Sequence, residues 1–176
     1  DWLFRTCPSD ALQGKVSGRL AKTLGFQTVS TIYVNNPYGS GLSKTFSQTL
    51  SEHGGKVVAT VAYEEGCPSY RGEIEQAIKG KPQAIALFSY PENGVTLIRQ
   101  ALELGFTGKF LLADGMKAPE VVHNVGGQYL KGTYGTTPGA REGNAKTRFV
   151  EAYTKQFGEK PPKPYIDNCY DAIAVL

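Results

Sequence analysis

The chain has 176 residues, 40% of them hydrophobic and 20% charged, with a formal net charge of +3. That supports one globular core, is too short for two complete ordinary domains, and argues against disorder. No apolar run reaches the ~18–20 residues needed to cross a bilayer, and no block of like charge marks a nucleic-acid surface. In chain order, Ser9 or Asp10 can cap a helix carrying Leu12, Val16, Leu20 and Leu24, stopped by Gly25. Thr28–Val34 reads as a buried strand, followed by an Asn35-Asn36-Pro37-Tyr38-Gly39 turn and a helix with Leu42, Phe46 and Leu50 on one face. Val57–Tyr63 forms a second strand, and Ser69 can cap a helix with Ile74, Ala77 and Ile78. Ala84–Phe88 is continuously apolar, as a central strand buried on both faces requires.

Ser89-Tyr90-Pro91-Glu92 then turns into a helix with Leu97, Ile98, Ala101 and Leu102. A fourth strand at Phe110–Ala113 leads to Asp114-Gly115, a short helix spans Pro119–Asn124, and a fifth strand is expected within Lys131–Thr136. Strands separated by helices predict an α/β fold: an open, doubly wound, Rossmann-like parallel sheet of about five strands with helices on both faces. After Thr137-Pro138-Gly139 the pattern changes to two helices, one with Phe149, Tyr153 and Phe157 and one over Tyr165–Leu176, joined by a proline-rich connector. Two such helices cannot complete a core alone. With the apolar run at Ala172–Leu176 and the start at Asp1-Trp2, they suggest a segment of a longer polypeptide.

Ligands of open parallel sheets bind beyond the carboxyl ends of the strands, where strand order reverses. That rule selects the loops after strands one, three and four, holding Tyr38-Gly39, Ser89-Tyr90 and Asp114-Gly115. Two tyrosines offer apolar area with a polar tip, and a carboxylate can pair with an ammonium group. Each also has a plain structural reading, as helix cover, rim residue or turn former. Enzyme signatures are missing: Gly39-x-Gly41 lacks the third glycine of a dinucleotide fingerprint, and there is no Walker or Gly-x-Ser-x-Gly motif. His53 and His123 have no evident nucleophile partner, and the sparse His and Cys predict no metal site and no cofactor. Cys7 and Cys67 each open a Cys-Pro-Ser run; a disulfide between them, or separate buried thiols, both remain open.

An ordered series of motifs resembles the type I periplasmic solute-binding proteins of ABC transporters, in the branched-chain amino-acid receptor branch. It comprises Phe4-Arg5-Thr6-x-Pro8-Ser9-Asp10, Tyr33-Val34-Asn35-Asn36-x-Tyr38-Gly39-x-Gly41-Leu42, Gly54-Gly55-x-Val57 and Tyr90-Pro91-Glu92-x-Gly94. Further along stand Ile98-Arg99-Gln100-Ala101, Asp114-Gly115-Met116-Lys117, Gly132-x-Tyr134-Gly135-Thr136-x-Pro138-Gly139 and Tyr170-Asp171-Ala172. The resemblance implies a ligand held between two α/β lobes joined by crossing strands. Residues 1–8 would be one crossing, 9–137 the second lobe, 138–143 another crossing, and 144–176 helices returning to a mostly absent first lobe. It implies that Tyr38 and Tyr90 cover the ligand, Asp114 pairs with its α-ammonium, Gly115 admits the backbone, and Tyr165 lines the side-chain pocket. It further implies an amino acid or related carboxylate or amide as ligand, a membrane ABC permease as partner, no nucleic acid, and no catalysis. The location would be the periplasm or, by a lipid anchor, the outer face of the cytoplasmic membrane. A sensory or regulatory domain of the same fold is the alternative, and a flavodoxin-like enzyme a third.

Overall fold

The computed structural model describes residues 5–139, 143–162 and 165–175. Phe4 of the first expected crossing, 140–142 of the second, Lys163-Pro164 of the connector and Leu176 lie outside the described residues. The chain divides into a unit of Ser9–Thr137 and one drawn from Asp1–Pro8 and Pro138–Leu176.

In the larger unit, helices and strands alternate. They are α1 (Asp10–Thr23), β1 (Thr28–Val34), α2 (Pro37–Glu52), β2 (Lys56–Tyr63), α3 (Arg71–Ile78), β3 (Ala84–Phe88), α4 (Pro91–Glu103), β4 (Lys109–Leu112), α5 (Pro119–Val125) and β5 (Tyr134–Gly135). The five strands form one parallel sheet in the order β2-β1-β3-β4-β5. The connection from β1 steps outward to β2 and then back past β1 to β3, so the order reverses between β1 and β3. Every residue of β3 is buried. Its alternation sends Ala84, Ala86 and Phe88 into a core with Ala21, Leu42, Phe46 and Leu50 of α1 and α2. Ile85 and Leu87 enter the opposite core, with Ile74 of α3, Leu97 and Ile98 of α4, and Val121 of α5.

α1 departs from its expected apolar face. Ser9 caps it, accepting from the Leu12 N–H at 3.3 Å. Its buried residues, however, are Gly14, Ser17, Gly18 and Ala21, while Leu12 and Val16 are exposed. The reason is close helix packing. A Cβ on Gly14 would stand 2.8 Å from Thr45 Cβ, and one on Gly18 2.9 Å from Thr49 Cβ. Small residues let the α1 and α2 backbones approach, and the leucine-bearing side turns outward. α3 also begins differently: Tyr70, not Ser69, is its N-cap position, and no side chain caps it. Buried Tyr70 anchors that end instead, donating from its hydroxyl to Asn93 Oδ1 at 2.8 Å while its N–H donates to Gln100 Oε1 at 2.8 Å. The fifth strand shrinks to two residues because Leu130–Thr133 forms a turn, with Gly132 at φ +81°.

The smaller unit contains α6 (Asn144–Phe157) and α7 (Ile166–Val175). Thr6 and Asn168 exchange two hydrogen bonds: Thr6 Oγ1 donates to the Asn168 carbonyl at 2.9 Å, and Asn168 Nδ2 to the Thr6 carbonyl at 2.7 Å. Phe149 meets Tyr153 and Tyr170 at ring-centre distances of 5.9 and 5.2 Å. No residue of α6 is buried. Cys7, Cys67 and Cys169 are free thiols, Cys7 in the smaller unit and Cys67 in the larger. Neither Cys7 nor Cys67 is the buried thiol that the sequence left open: Cys67 is exposed in the loop before α3, and Cys7 is partly exposed. Among the described residues no helix is long and apolar enough to cross a membrane, and no cluster of three potential metal ligands occurs.

Candidate ligand-binding site

Parallel register brings the carboxyl ends of β1, β3 and β4 to one edge, with Tyr33 opposite Phe88 and Leu87 opposite Leu112. The first residues beyond that edge are set by helix starts. Asn36 has an extended backbone and caps α2, its Oδ1 accepting from the Gly39 N–H at 2.9 Å. Pro37 opens the helix, where a missing N–H costs nothing. Gly39 is required here, because a Cβ would lie 2.2 Å from the Val34 carbonyl oxygen. This tight strand-to-helix turn puts Tyr38 in the first helical turn, above the end of the sheet. Tyr90 is the N-cap position of α4, again followed by proline.

The two tyrosines meet. Their rings stack with centres 5.5 Å apart and planes inclined by 17°. Tyr38 Oη donates to Asp114 Oδ1 at 3.2 Å and accepts from the Gly115 N–H at 3.3 Å. Burial, reinforced by the adjacent Asp114 carboxylate, drives the Tyr38 hydroxyl far above the ordinary tyrosine range; the Gly115 N–H offsets part of this. Tyr38 therefore stays a neutral donor at any physiological pH. Gly115 has no room for a side chain: a Cβ would sit 2.7 Å from the Ser89 carbonyl oxygen and 2.8 Å from Tyr38 Oη.

Four of the five residues singled out in the sequence, Tyr38, Tyr90, Asp114 and Gly115, thus converge on the reversal point. Tyr165 belongs to the smaller unit. It precedes α7 at φ +71°, an uncommon backbone state for a bulky side chain, and its carbonyl accepts the Cys169 N–H at 2.8 Å. The sequence places Asn36 in the turn before α2 but not among the site residues, although a polar residue before proline at a helix start is a capping signal. Its Nδ2 donates to Tyr90 Oη at 3.4 Å, joining the α2 cap to the second ring. His53 Nδ1 donates to the Thr49 carbonyl at 2.8 Å, closing α2. A separate depression of about 510 Å³ lies at the opposite strand ends, lined by Phe106, Lys109, Tyr129 and Lys131 among others. It is remote from the tyrosine pair.

The arrangement is a carboxylate beside a stacked aromatic wall, the chemistry of a site for a small cation-bearing ligand with apolar surface. The chain matches the periplasmic binding protein family over residues 1–176. It belongs to that family. It is 26% identical over 176 residues to the leucine-, isoleucine-, valine-, threonine- and alanine-binding protein of Pseudomonas aeruginosa, covering 99% of this chain and 47% of that protein. It is 23% identical over 178 residues to the chemotactic signal transduction system substrate-binding protein BasB of Halobacterium salinarum, covering 99% of this chain and 40% of the relative. Among solved structures, the leucine-binding protein LivK of Thermotoga maritima superposes with a TM-score of 0.84 at 31% identity. That match covers 97% of this chain and 49% of the other. The periplasmic binding protein chain thus spans about half the length of these relatives, which are named as binding proteins rather than enzymes.

Proposed function

We propose that this periplasmic binding protein chain supplies one half of a two-lobed receptor that captures an amino acid or a related carboxylate or amide. The observation that carries the reading is the Tyr38–Tyr90 stack with Asp114 held beside it at the reversal point of the sheet. Asp114 pairs with the ligand's α-ammonium, Tyr38 and Tyr90 cover its apolar portion, and Gly115 lets the backbone come close. Residues 9–137 form the second lobe. Segments 1–8 and 138–143 cross between lobes, and the helices of 144–176 return to the first lobe, where Tyr165 lines the side-chain pocket.

Capture proceeds by hinge closure: contacts made only with both lobes around the ligand shift the open–closed balance. The closed receptor then delivers its ligand to an ABC permease from the periplasm, or from a lipid anchor on the outer face of the membrane. A chemosensory role for the same site is the second reading, favoured by the similarity to a chemotactic substrate-binding protein.

Titration calorimetry of the complete receptor against a panel of L-amino acids tests the proposal. Saturable binding that Asp114→Ala weakens at least tenfold is the expected result. Absence of binding across the panel, or an unchanged affinity in Asp114→Ala, refutes the ammonium assignment.

A further inference from the structure

Next to Tyr90 in the chain and across the sheet from it lies a buried pair of hydroxyls. Ser89 is fully buried and Tyr63 is 1% exposed. Tyr63 Oη and Ser89 Oγ are 2.5 Å apart and share a hydrogen bond. Tyr63 ends β2 opposite Val34 of β1, whereas Ser89 follows the last residue of β3. Since β1 lies between those strands, the bond spans two strand spacings, roughly 10 Å. A tyrosine can cross most of that gap; a shorter polar side chain cannot.

The other contacts of Ser89 reach the Tyr90 loop, α4 and the turn after β4. Its Oγ donates to the Tyr90 carbonyl at 3.1 Å, the same carbonyl that accepts the Gly94 N–H at 2.8 Å and so begins α4. The Ser89 carbonyl is the surface against which Gly115 packs. A Cβ on Gly94 would lie 2.2 Å from Met116 Sδ and 3.2 Å from Ser89 Oγ, so the Met116 side chain would have to move aside. Tyr63 is in turn fixed by Tyr70, whose ring meets it edge-on at 5.1 Å, and Tyr70 is tied to α4 through Asn93 and Gln100. The ends of β2, β3 and β4 and the start of α4 therefore meet at one serine.

We propose that Ser89, seated by Tyr63, is a positioning residue: the Tyr63–Ser89 bond fixes the start of α4 and thereby where the Tyr90 ring stands against Tyr38. Neither hydroxyl touches ligand. The consequence for affinity rests on the reading that Tyr90 covers an amino acid; the consequence for the ring does not. A serine whose partner is removed keeps its volume but loses the strand-crossing tether. The Tyr90 carbonyl then has a freely rotating donor beside it, and the ring samples orientations off the stack.

Two measurements test this. In the full chain with ring-labelled tyrosine, Tyr90 resonances are identified by Tyr90→Phe, and the stacking contribution to their shifts by Tyr38→Leu. Tyr63→Phe and Ser89→Ala are each expected to move the Tyr90 signals toward their Tyr38→Leu positions, and the double variant no further. Unchanged Tyr90 signals in both single variants, even with a lowered melting temperature, overturn the proposal. In the complete receptor, Tyr63→Phe is expected to weaken L-leucine binding about fivefold and to have no effect when Tyr90 is already alanine. An equal loss in both backgrounds means a general structural role and also overturns it. If the unaltered receptor binds no amino acid, the proposed function fails, while the ring signals still decide the positioning role.

Discussion

Tyr38 donates a hydrogen bond to Asp114 across the sheet edge, from the first turn of α2 to the residue after β4. The bond leaves the carboxylate aimed by a hydroxyl that burial keeps protonated. It also ties the aromatic wall and the charge into one device, so that altering either disturbs the other.

Removing only the hydroxyl should therefore weaken binding without removing the wall. Tyr38→Phe in the complete receptor is expected to lower amino-acid affinity about threefold, and Asp114→Asn roughly ten- to a hundredfold, since charge-assisted bonds are the stronger kind. Calorimetric titrations of the two variants and their double form check this. A Tyr38→Phe effect as large as that of Asp114→Asn would contradict the division of roles.

Gly115→Ala forces a methyl between the Ser89 carbonyl and the Tyr38 hydroxyl. Overpacking of this kind costs about 1–3 kcal/mol. Denaturant unfolding should show that loss, and the Tyr38–Asp114 bond should be displaced along with it.

The small-residue seam between α1 and α2 predicts an inverted pattern of sensitivity. Gly18→Val, directed at Thr49 and the Phe46 carbonyl, should destabilise the chain by about 1–3 kcal/mol. Leu12→Gln, at a position 54% exposed, should stay within about 0.5 kcal/mol. Urea midpoints of the two variants decide between a seam of glycines and a conventional leucine face.

High pH should unfold the chain through its buried tyrosines. Burial pushes the Tyr63 hydroxyl from 10.0 up to about 12, and Tyr38 shifts in the same direction. Above pH 10 the unfolded chain releases these protons while the folded chain still holds them. Stability is then complete below pH 10 and falls as pH rises, with the Tyr63 contribution lost by about pH 12. Unfolding free energies measured from pH 8 to 11 should decline less steeply in Tyr63→Phe than in the parent chain.

The isolated chain carries the residues of only one half of the proposed cleft. It should bind amino acids weakly or undetectably by calorimetry. Tight binding by the chain alone would mean that the Tyr38, Tyr90 and Asp114 group is sufficient by itself.

Much of this was legible from local pattern. The continuous apolar run of Ala84–Phe88 announces a strand buried on both faces, and Asn36-Pro37 before Tyr38-Gly39 announces a helix start directly after a strand. Periodicity misled where packing was unusual. In α1 the leucine and valine positions repeat as a core face should, yet the glycine side is the buried one. Gly14 and Gly18 of α1 pack against Thr45 and Thr49 of α2, and which side of α1 that contact buries is decided by the pair of helices, not by the leucine period. Ser89 and Tyr63 carried no local signal. They lie 26 residues apart and meet across an intervening strand.

The alternation of strands and helices, and hence the parallel sheet, follows from the sequence alone, because hydrophobic period and capping residues act over one or two turns of chain. So does the set of loops from which a site could be built. Only the tertiary structure decided that Tyr38 stacks on Tyr90, that its hydroxyl serves Asp114, and that Tyr63 and Ser89 share a buried hydrogen bond. Those relations depend on strand order and register, and strand order is set by the whole core at once.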